Sequence, residues 1–215
     1  MDVRFKIETH QFGDFTIRLK RVTNLDELIE QVSDEEFNKD ERLPYWAELW
    51  PSALGLARFL VDQPELIRQK SVLELGVGLG LTSIVLHKLN PKKLLLTDYE
   101  ADALKICQEN FQLNGLPEPE TKLLDWRHPD LNERFDCIVA SDVLYEERFF
   151  EPLMNMFENF LNPRGSIILA EPNRAVAQSF FAQLKERGFG WQSGTVLVPQ
   201  EPKPIRVTNY VIRPK

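Results

Sequence analysis

Val72-Leu73-Glu74-Leu75-Gly76-Val77-Gly78-Leu79-Gly80 is the stretch from which this chain is best read. An apolar run of strand length breaks into three alternating glycines and opens onto helical spacing over residues 82–89, so a buried strand turns sharply into a helix. Glycines there let the backbone turn tightly and let a ligand reach main-chain N–H groups at a helix N-terminus. Taken alone, the loop fits a ligand-free turn as well as a nucleotide site. Spacing narrows the ligand. The dinucleotide fingerprint needs its third glycine three positions after the second, and here that position is Leu81, with Gly80 arriving one residue early. A nicotinamide cofactor is disfavoured. Neither lysine nor serine or threonine follows Gly80 directly, so a phosphate-gripping NTP loop is excluded.

Downstream, strand and helix patterns alternate. Short apolar runs at residues 94–97, 121–124, 137–141 and 167–170 read as strands, with amphipathic helices at 101–113, 151–161 and 175–187. Such alternation predicts a doubly wound, mostly parallel α/β sheet with right-handed crossovers. Segments 191–198 and 206–212, joined by the proline-rich Pro199-Gln200-Glu201-Pro202-Lys203-Pro204, predict a terminal hairpin. Upstream, alternating residues 3–7 and 15–19 around Gly13-Asp14 predict a β-hairpin. Residues 24–40 carry Leu25, Leu28, Ile29 and Val32 at helical spacing in an acidic segment. An aromatic stretch, Leu43-Pro44-Tyr45-Trp46-Ala47-Glu48-Leu49-Trp50-Pro51, then leads into a helix expected over 52–62.

Size and composition set outer bounds. With 215 residues, 43% hydrophobic and 27% charged, one domain with its own core is expected over residues 1–215. No apolar run reaches the roughly 20 residues of a membrane span, and the N-terminus lacks a signal-type apolar region, so a cytoplasmic protein acting off the membrane is expected. A net charge of −7 argues against a nucleic-acid partner, because phosphate binders gather Lys and Arg into basic patches. Cys107 and Cys137 fall in apolar positions and read as core residues, and His10, His87 and His128 are scattered, so no metal site is expected.

Polar residues recur at the strand ends. Asp98 ends the second strand, 22 positions after Gly76, where a carboxylate meets ribose hydroxyls in such folds, although it equally suits the cap of the next helix. Asp125 and Trp126 follow the third strand, and Ser141 and Asp142 the fourth, with Tyr145 close behind. Each has a plain reading too: Trp126 as a core or edge aromatic, Asp142 as a helix cap, Tyr145 as a packed ring. Their convergence on the crevice outside the carboxyl ends of the strands points to one nucleoside site.

With these residues in place, the chain resembles the seven-strand class I methyltransferases, whose first motif is an apolar strand, an acidic residue and Gly-x-Gly-x-Gly. Glu74, Gly76, Gly78 and Gly80 match it. Over residues 43–189 it is most similar to the protein-lysine methyltransferase family that includes the enzyme acting on the electron transfer flavoprotein β subunit. The specific matches are Pro44-Tyr45-Trp46-Ala47 with Trp50-Pro51, Leu124-Asp125-Trp126, and Ser141-Asp142-Val143-Leu144-Tyr145, which fits an Asp-x-x-Tyr/Phe pattern.

The resemblance implies a seven-stranded sheet, residues 43–215 as catalytic core with residues 1–42 as an N-terminal extension, and S-adenosyl-L-methionine as cofactor, leaving S-adenosyl-L-homocysteine. It implies that Trp50, Glu74, Gly76, Gly78, Gly80, Asp98, Asp125, Trp126 and Ser141 bind the cofactor, and that Asp142 and Tyr145 line the acceptor amine. The implied partner is a protein with an accessible lysine, met by a monomer; a small nitrogen compound, or cofactor binding without catalysis, are the alternatives. Glu48, Glu146, Glu147 and Glu171 are expected to give the entrance an acidic face for a basic partner. One departure stands out: Glu171-Pro172-Asn173-Arg174 occupies the place of Asp-Pro-Gly-Arg.

Overall fold

Alternating apolar residues pair first at the N-terminal end, where β1 (Phe5–Phe12) and β2 (Phe15–Val22) form an antiparallel hairpin turning at Gly13-Asp14. The computed structural model describes residues 4–30 and 43–215. Helix α1 (Leu25–Glu30) opens the acidic stretch expected to be helical over 24–40, whose remainder lies outside the described residues. The aromatic segment makes a 3-10 turn at Tyr45–Ala47, and α2 (Pro51–Asp62) starts with proline at its first position, where no N–H is needed.

The alternating region follows as β3 (Ser71–Leu75), α3 (Leu81–Lys88), β4 (Lys93–Asp98), α4 (Ala101–Leu113), β5 (Glu120–Leu123), β6 (Phe135–Ser141), α5 (Phe150–Phe160), β7 (Leu161–Glu171), α6 (Ala177–Glu186), β8 (Phe189–Val198) and β9 (Ile205–Pro214). These nine strands make a two-stranded hairpin and one seven-stranded sheet in the order β5-β4-β3-β6-β7-β9-β8. The first five strands of that order run parallel, and β9 is antiparallel to both β7 and β8. The expected doubly wound, mostly parallel seven-stranded sheet with an N-terminal hairpin is therefore what forms.

The sheet is covered on both faces, which explains why its inner strands are continuously apolar. On one face Val72, Leu96, Val139 and Ile168 pack against α2, α3 and α4, joined by Ile17 and Leu19 of the hairpin. On the other, Leu73, Leu95, Ile138 and Leu169 pack against α5 and α6, where Phe157, Phe180 and Leu184 are buried. Cys107 and Cys137 are free and buried, one on α4 and one in β6. Among the described residues no helix is long and apolar enough to cross a membrane. Strand order reverses between β3 and β6: the chain winds outward through β4 and β5 on one side and through β6 and β7 on the other. The carboxyl ends of β3 and β6 thus flank the crevice where ligands bind in open α/β sheets.

Candidate active site

The glycine loop after β3 forms one wall of this crevice. Gly76 and Val77 donate their N–H groups to the Thr97 carbonyl at 2.9 and 3.2 Å, tying the loop to the end of β4. Gly80 has φ 81° and opens α3; a Cβ there would stand 2.6 Å from Cys107 Sγ, so glycine allows α4 to press against the loop. Asp98 stands between the loop and the next helix, whose N-cap is Glu100. Its Oδ2 accepts the Gly78 N–H at 3.1 Å, its Oδ1 accepts the Glu100 N–H at 3.0 Å at the start of α4, and the residue still lines the cleft. Burial raises its pKa against the backbone donors that lower it.

Glu74 lies behind the loop rather than in the cleft. It is buried, its Oε2 accepts the Ser83 hydroxyl at 2.6 Å, and desolvation, with the Asp98 charge adding to it, pushes its carboxyl up to about 8.

The facing wall is aromatic. Trp50 Nε1 donates to the Tyr45 carbonyl at 2.9 Å, which fixes the indole at the entry to α2. Tyr45 sits edge-on to both Trp50 and Tyr145, with centroids 6.2 and 5.6 Å away, and Phe149 links Tyr145 at 6.0 Å to Trp126 at 6.1 Å. The Trp126 Nε1–H is buried and, among the described residues, has no hydrogen-bond partner. Next to it Asp125 receives Arg127 Nε at 2.9 and 3.1 Å and Nη2 at 2.8 Å, a pairing that holds its pKa below the ordinary value. Tyr145 is 38% exposed at the rim, and burial of its hydroxyl raises the phenol pKa.

Asp142 occupies the floor beside the end of β6. Its φ is 63°, a left-handed value uncommon for a residue with a side chain, and its N–H donates to the Ala170 carbonyl at 3.0 Å. It therefore turns the chain out of the sheet and caps no helix. The residue is 7% exposed, and its carboxylate faces Arg174 in an ion pair while making no hydrogen bond among the described residues. Arg174 Nη1 also lies 3.2 Å from Glu171, a residue 1% exposed whose carboxyl burial pushes up to about 7.

The sequence departure after β7 finds its explanation here. Asn173 has φ 64°, which asparagine tolerates better than other residues with a side chain, and its amide donates to the Arg206 carbonyl at 2.9 Å. Asparagine at this position preserves a turn that glycine would otherwise supply.

Of the residues singled out from the sequence, Trp50, Gly76, Gly78, Asp98, Asp125, Trp126, Ser141, Asp142 and Tyr145 line a single cleft of about 970 Å³ including its open mouth, while Glu74 and Gly80 stand behind it. Tyr45, Tyr99, Arg127 and Phe149 also line it; Phe149 falls four residues after Tyr145, a spacing that offered a signal, whereas Arg127 offered none. The acidic entrance is not found as expected. Glu48 pairs with Arg21, Glu146 with Arg148, and Glu171 is buried against Arg174, leaving Glu147 exposed. Two of these arginines follow their acids by two and three residues, and Arg21 reaches Glu48 from the hairpin, so each of the three acids faces a cation.

Fold and cleft together match the class I methyltransferases: a seven-stranded sheet with its last strand antiparallel, a glycine loop after β3, a carboxylate at the end of β4 and an aromatic-walled cleft beside the end of β6. The chain belongs to the lysine methyltransferase family, whose sequence model matches residues 34–187. It is 33% identical over 135 residues to the electron transfer flavoprotein beta subunit lysine methyltransferase of Mus musculus, covering 61% of this chain and 51% of that protein. Over 159 residues it is 31% identical to EEF1A lysine methyltransferase 3 of Mus musculus, covering 71% of this chain and 67% of that protein. The chain spans about half the length of the flavoprotein-directed relatives it matches. Among solved structures, magnesium protoporphyrin IX methyltransferase from Synechocystis PCC 6803 with bound SAM superposes with a TM-score of 0.57 at 17% identity, covering 88% of this chain and 91% of that one, a likeness of fold.

Proposed function

We propose that this chain transfers a methyl group from S-adenosylmethionine to a lysine side chain of a protein. The observation that carries the reading is Asp142, a buried carboxylate ion-paired with Arg174 at the floor of a cleft walled by Tyr45, Trp50, Tyr145 and Phe149. The cofactor fits the residues present. Asp98 lines the cleft at the end of β4, the Trp126 indole N–H has no partner among the described residues, and the loop at Gly76 and Gly78 has no side chain to obstruct a ligand. When bound, S-adenosylmethionine supplies a methyl group already activated by sulfonium charge.

The protein's part is alignment. Displacement at that carbon needs the amine in line and close, a matter of proximity and orientation. A lysine must first lose a proton, since roughly one amine in a thousand is neutral near pH 7. The aromatic walls disfavour the ammonium form by desolvation, while the Asp142 carboxylate favours it. Asp142 therefore captures and orients the amine, Arg174 tempers its charge, and the proton leaves to water through the open mouth at Tyr145. The protein partner completes the exclusion of solvent with its own surface.

Incubation with radiolabelled S-adenosylmethionine and a cell lysate tests the reading. Label is expected in a few protein bands, resistant to nuclease and placed on lysine by mass spectrometry. Asp142→Asn is expected to lower incorporation about 100-fold with S-adenosylhomocysteine affinity nearly unchanged. Label confined to small molecules would turn the reading to a metabolite acceptor. Label on histidine would align the chain with its relative named histidine protein methyltransferase 1 homolog of Dictyostelium discoideum, 32% identical over 129 residues.

A further inference from the structure

The outer edge of β2 meets two asparagine side chains on α4 instead of another strand. Asn114 Oδ1 accepts the Arg18 N–H at 2.9 Å and its Nδ2 donates to the Arg18 carbonyl at 2.6 Å. Asn110 Oδ1 accepts the Lys20 N–H at 2.6 Å and its Nδ2 donates to the Lys20 carbonyl at 3.2 Å. Each carboxamide reproduces the donor and acceptor of a paired strand residue. The spacing agrees, because four residues of helix rise about 6 Å and two residues of strand about 6.7 Å.

Asn110 has one more partner. Its Nδ2 donates at 2.8 Å to the carbonyl of Leu79, inside the glycine loop, and the residue is fully buried. That carbonyl belongs to the same peptide plane as the Gly80 N–H, which donates to the Val77 carbonyl at 2.8 Å. Asn110 thus fixes the plane from the side opposite Val77, at a glycine whose φ of 81° leaves alternatives open. The hairpin also touches the facing wall: Arg21 Nη2 donates to Glu48 Oε1 at 2.6 Å, and the same oxygen accepts the Leu49 N–H at 3.0 Å within the aromatic segment.

Resting on the reading of this cleft as the cofactor site, we propose that Asn110 is a positioning residue that holds the Leu79–Gly80 peptide in register while the N-terminal hairpin is docked, so that hairpin docking and cofactor binding favour each other. An undocked hairpin frees the Asn110 carboxamide to rotate away from Leu79, and the loop loses its anchor. Coupling between binding equilibria is reciprocal, so cofactor must also hold the hairpin down.

Calorimetry with S-adenosylhomocysteine and hydrogen exchange on the full chain provide the test. Asn110→Ala is expected to weaken binding about tenfold, one buried hydrogen bond read as an equilibrium constant. Asn114→Ala unhooks the hairpin at Arg18 without touching the glycine loop; it is expected to speed exchange of the Lys20 amide and to weaken binding in the same direction as Asn110→Ala but less, by about two- to threefold. Should Asn110→Ala fail to fold, Asn110→Ser, which leaves a smaller void, is read in its place. In the unaltered chain S-adenosylhomocysteine is expected to slow exchange of the Lys20 amide. Unchanged affinity in the Asn110 variants, faster Lys20 exchange in Asn114→Ala with affinity unchanged, or Lys20 exchange indifferent to ligand would each overturn the coupling while leaving the cofactor reading intact. No binding by the unaltered chain would overturn both.

Discussion

Four acidic side chains near strand ends meet four different environments, and only part of that difference is written in the sequence. Asp98 is legible as a cleft-lining carboxylate from its place at the end of β4, whereas its bonds to the Gly78 and Glu100 N–H groups are not. The side chain of Glu74 turns into the packing beneath α3, where Ser83 meets it, so adjacency to the glycines does not bring it into the cleft. Asp125 and Asp142 are held by Arg127 and Arg174. The second pair joins residues 32 apart through left-handed turns at Asp142 and Asn173, which no spacing rule reveals. Glu74 carries a stability prediction. Its carboxyl is raised from 4.5 to about 8 in the folded chain, so between those values the native state holds more protons than the unfolded one. Stability must then fall as pH rises through that window, with an upper bound on the order of 4 to 5 kcal/mol at about 1.36 kcal/mol per pKa unit. Glu171 and Asp98, raised as well, act in the same direction. Urea unfolding at pH 5.5 and 8.5 should show a smaller decline for Glu74→Gln, which keeps an acceptor for Ser83 without the charge. A variant declining as steeply as the unaltered chain would show that Glu74 is ionised throughout.

At the level of elements, periodicity placed α4 at its observed bounds and α3 and α5 within a residue of theirs; α4 and α5 each bury one apolar face, whereas α3 buries every residue from Leu81 to Leu86 and is bounded instead by the glycine loop before it. The strand expected at 167–170 is the end of β7, which already begins at Leu161. Asn162-Pro163-Arg164-Gly165 carries turn chemistry, and it bulges out of the ladder: Phe135 pairs with Leu161 and Cys137 already with Ser166, so these four residues of β7 have no ladder partner on β6. The three glycines of the loop also look equivalent in sequence and are not so in space. A Cβ on Gly76 would meet Val143 at an ordinary 3.5 Å, whereas one on Gly80 would lie 2.6 Å from Cys107 Sγ and 3.1 Å from its Cα. Gly76→Ala should cost about 1 to 2 kcal/mol, the conformational penalty alone. Gly80→Ala should cost about 2 to 5 kcal/mol, adding overpacking to that penalty. Cys107→Ala in the Gly80→Ala background should recover only part, because the α4 backbone and the positive φ remain. Chemical denaturation of the single and double variants measures this, and full recovery by Cys107→Ala would show that only the sulfur was in the way.

Across the whole molecule, the cleft draws on five separate regions: the aromatic segment before α2, the loop after β3, and the ends of β4, β5 and β6. What brings them together is strand order. The fold class was legible because the alternation of strands and helices leaves few ways to wind a parallel sheet; the cleft floor at Asp142 was legible only as a motif, since its partner Arg174 arrives by tertiary folding. Ligand choice is a property of this assembly. Leu81 stands where a dinucleotide site has its third glycine, and it is buried in the core beneath the loop. The space that a pyrophosphate-binding turn keeps for close helix packing is shifted to Gly80 against α4. S-adenosylhomocysteine should therefore stabilise the chain and NAD should not. At about 100 times its dissociation constant a ligand adds about 2.7 kcal/mol, which for a chain of this size raises the melting temperature about 5 to 10 °C. Asp98→Ala should remove most of that shift, measured from the variant's own ligand-free melting temperature, which itself falls because the Gly78 and Glu100 N–H groups lose their acceptors. A thermal-shift series with both ligands and both proteins decides the matter: stabilisation by NAD alone would reverse the reading of the glycine spacing, and an undiminished shift in Asp98→Ala would place the ribose elsewhere in the cleft.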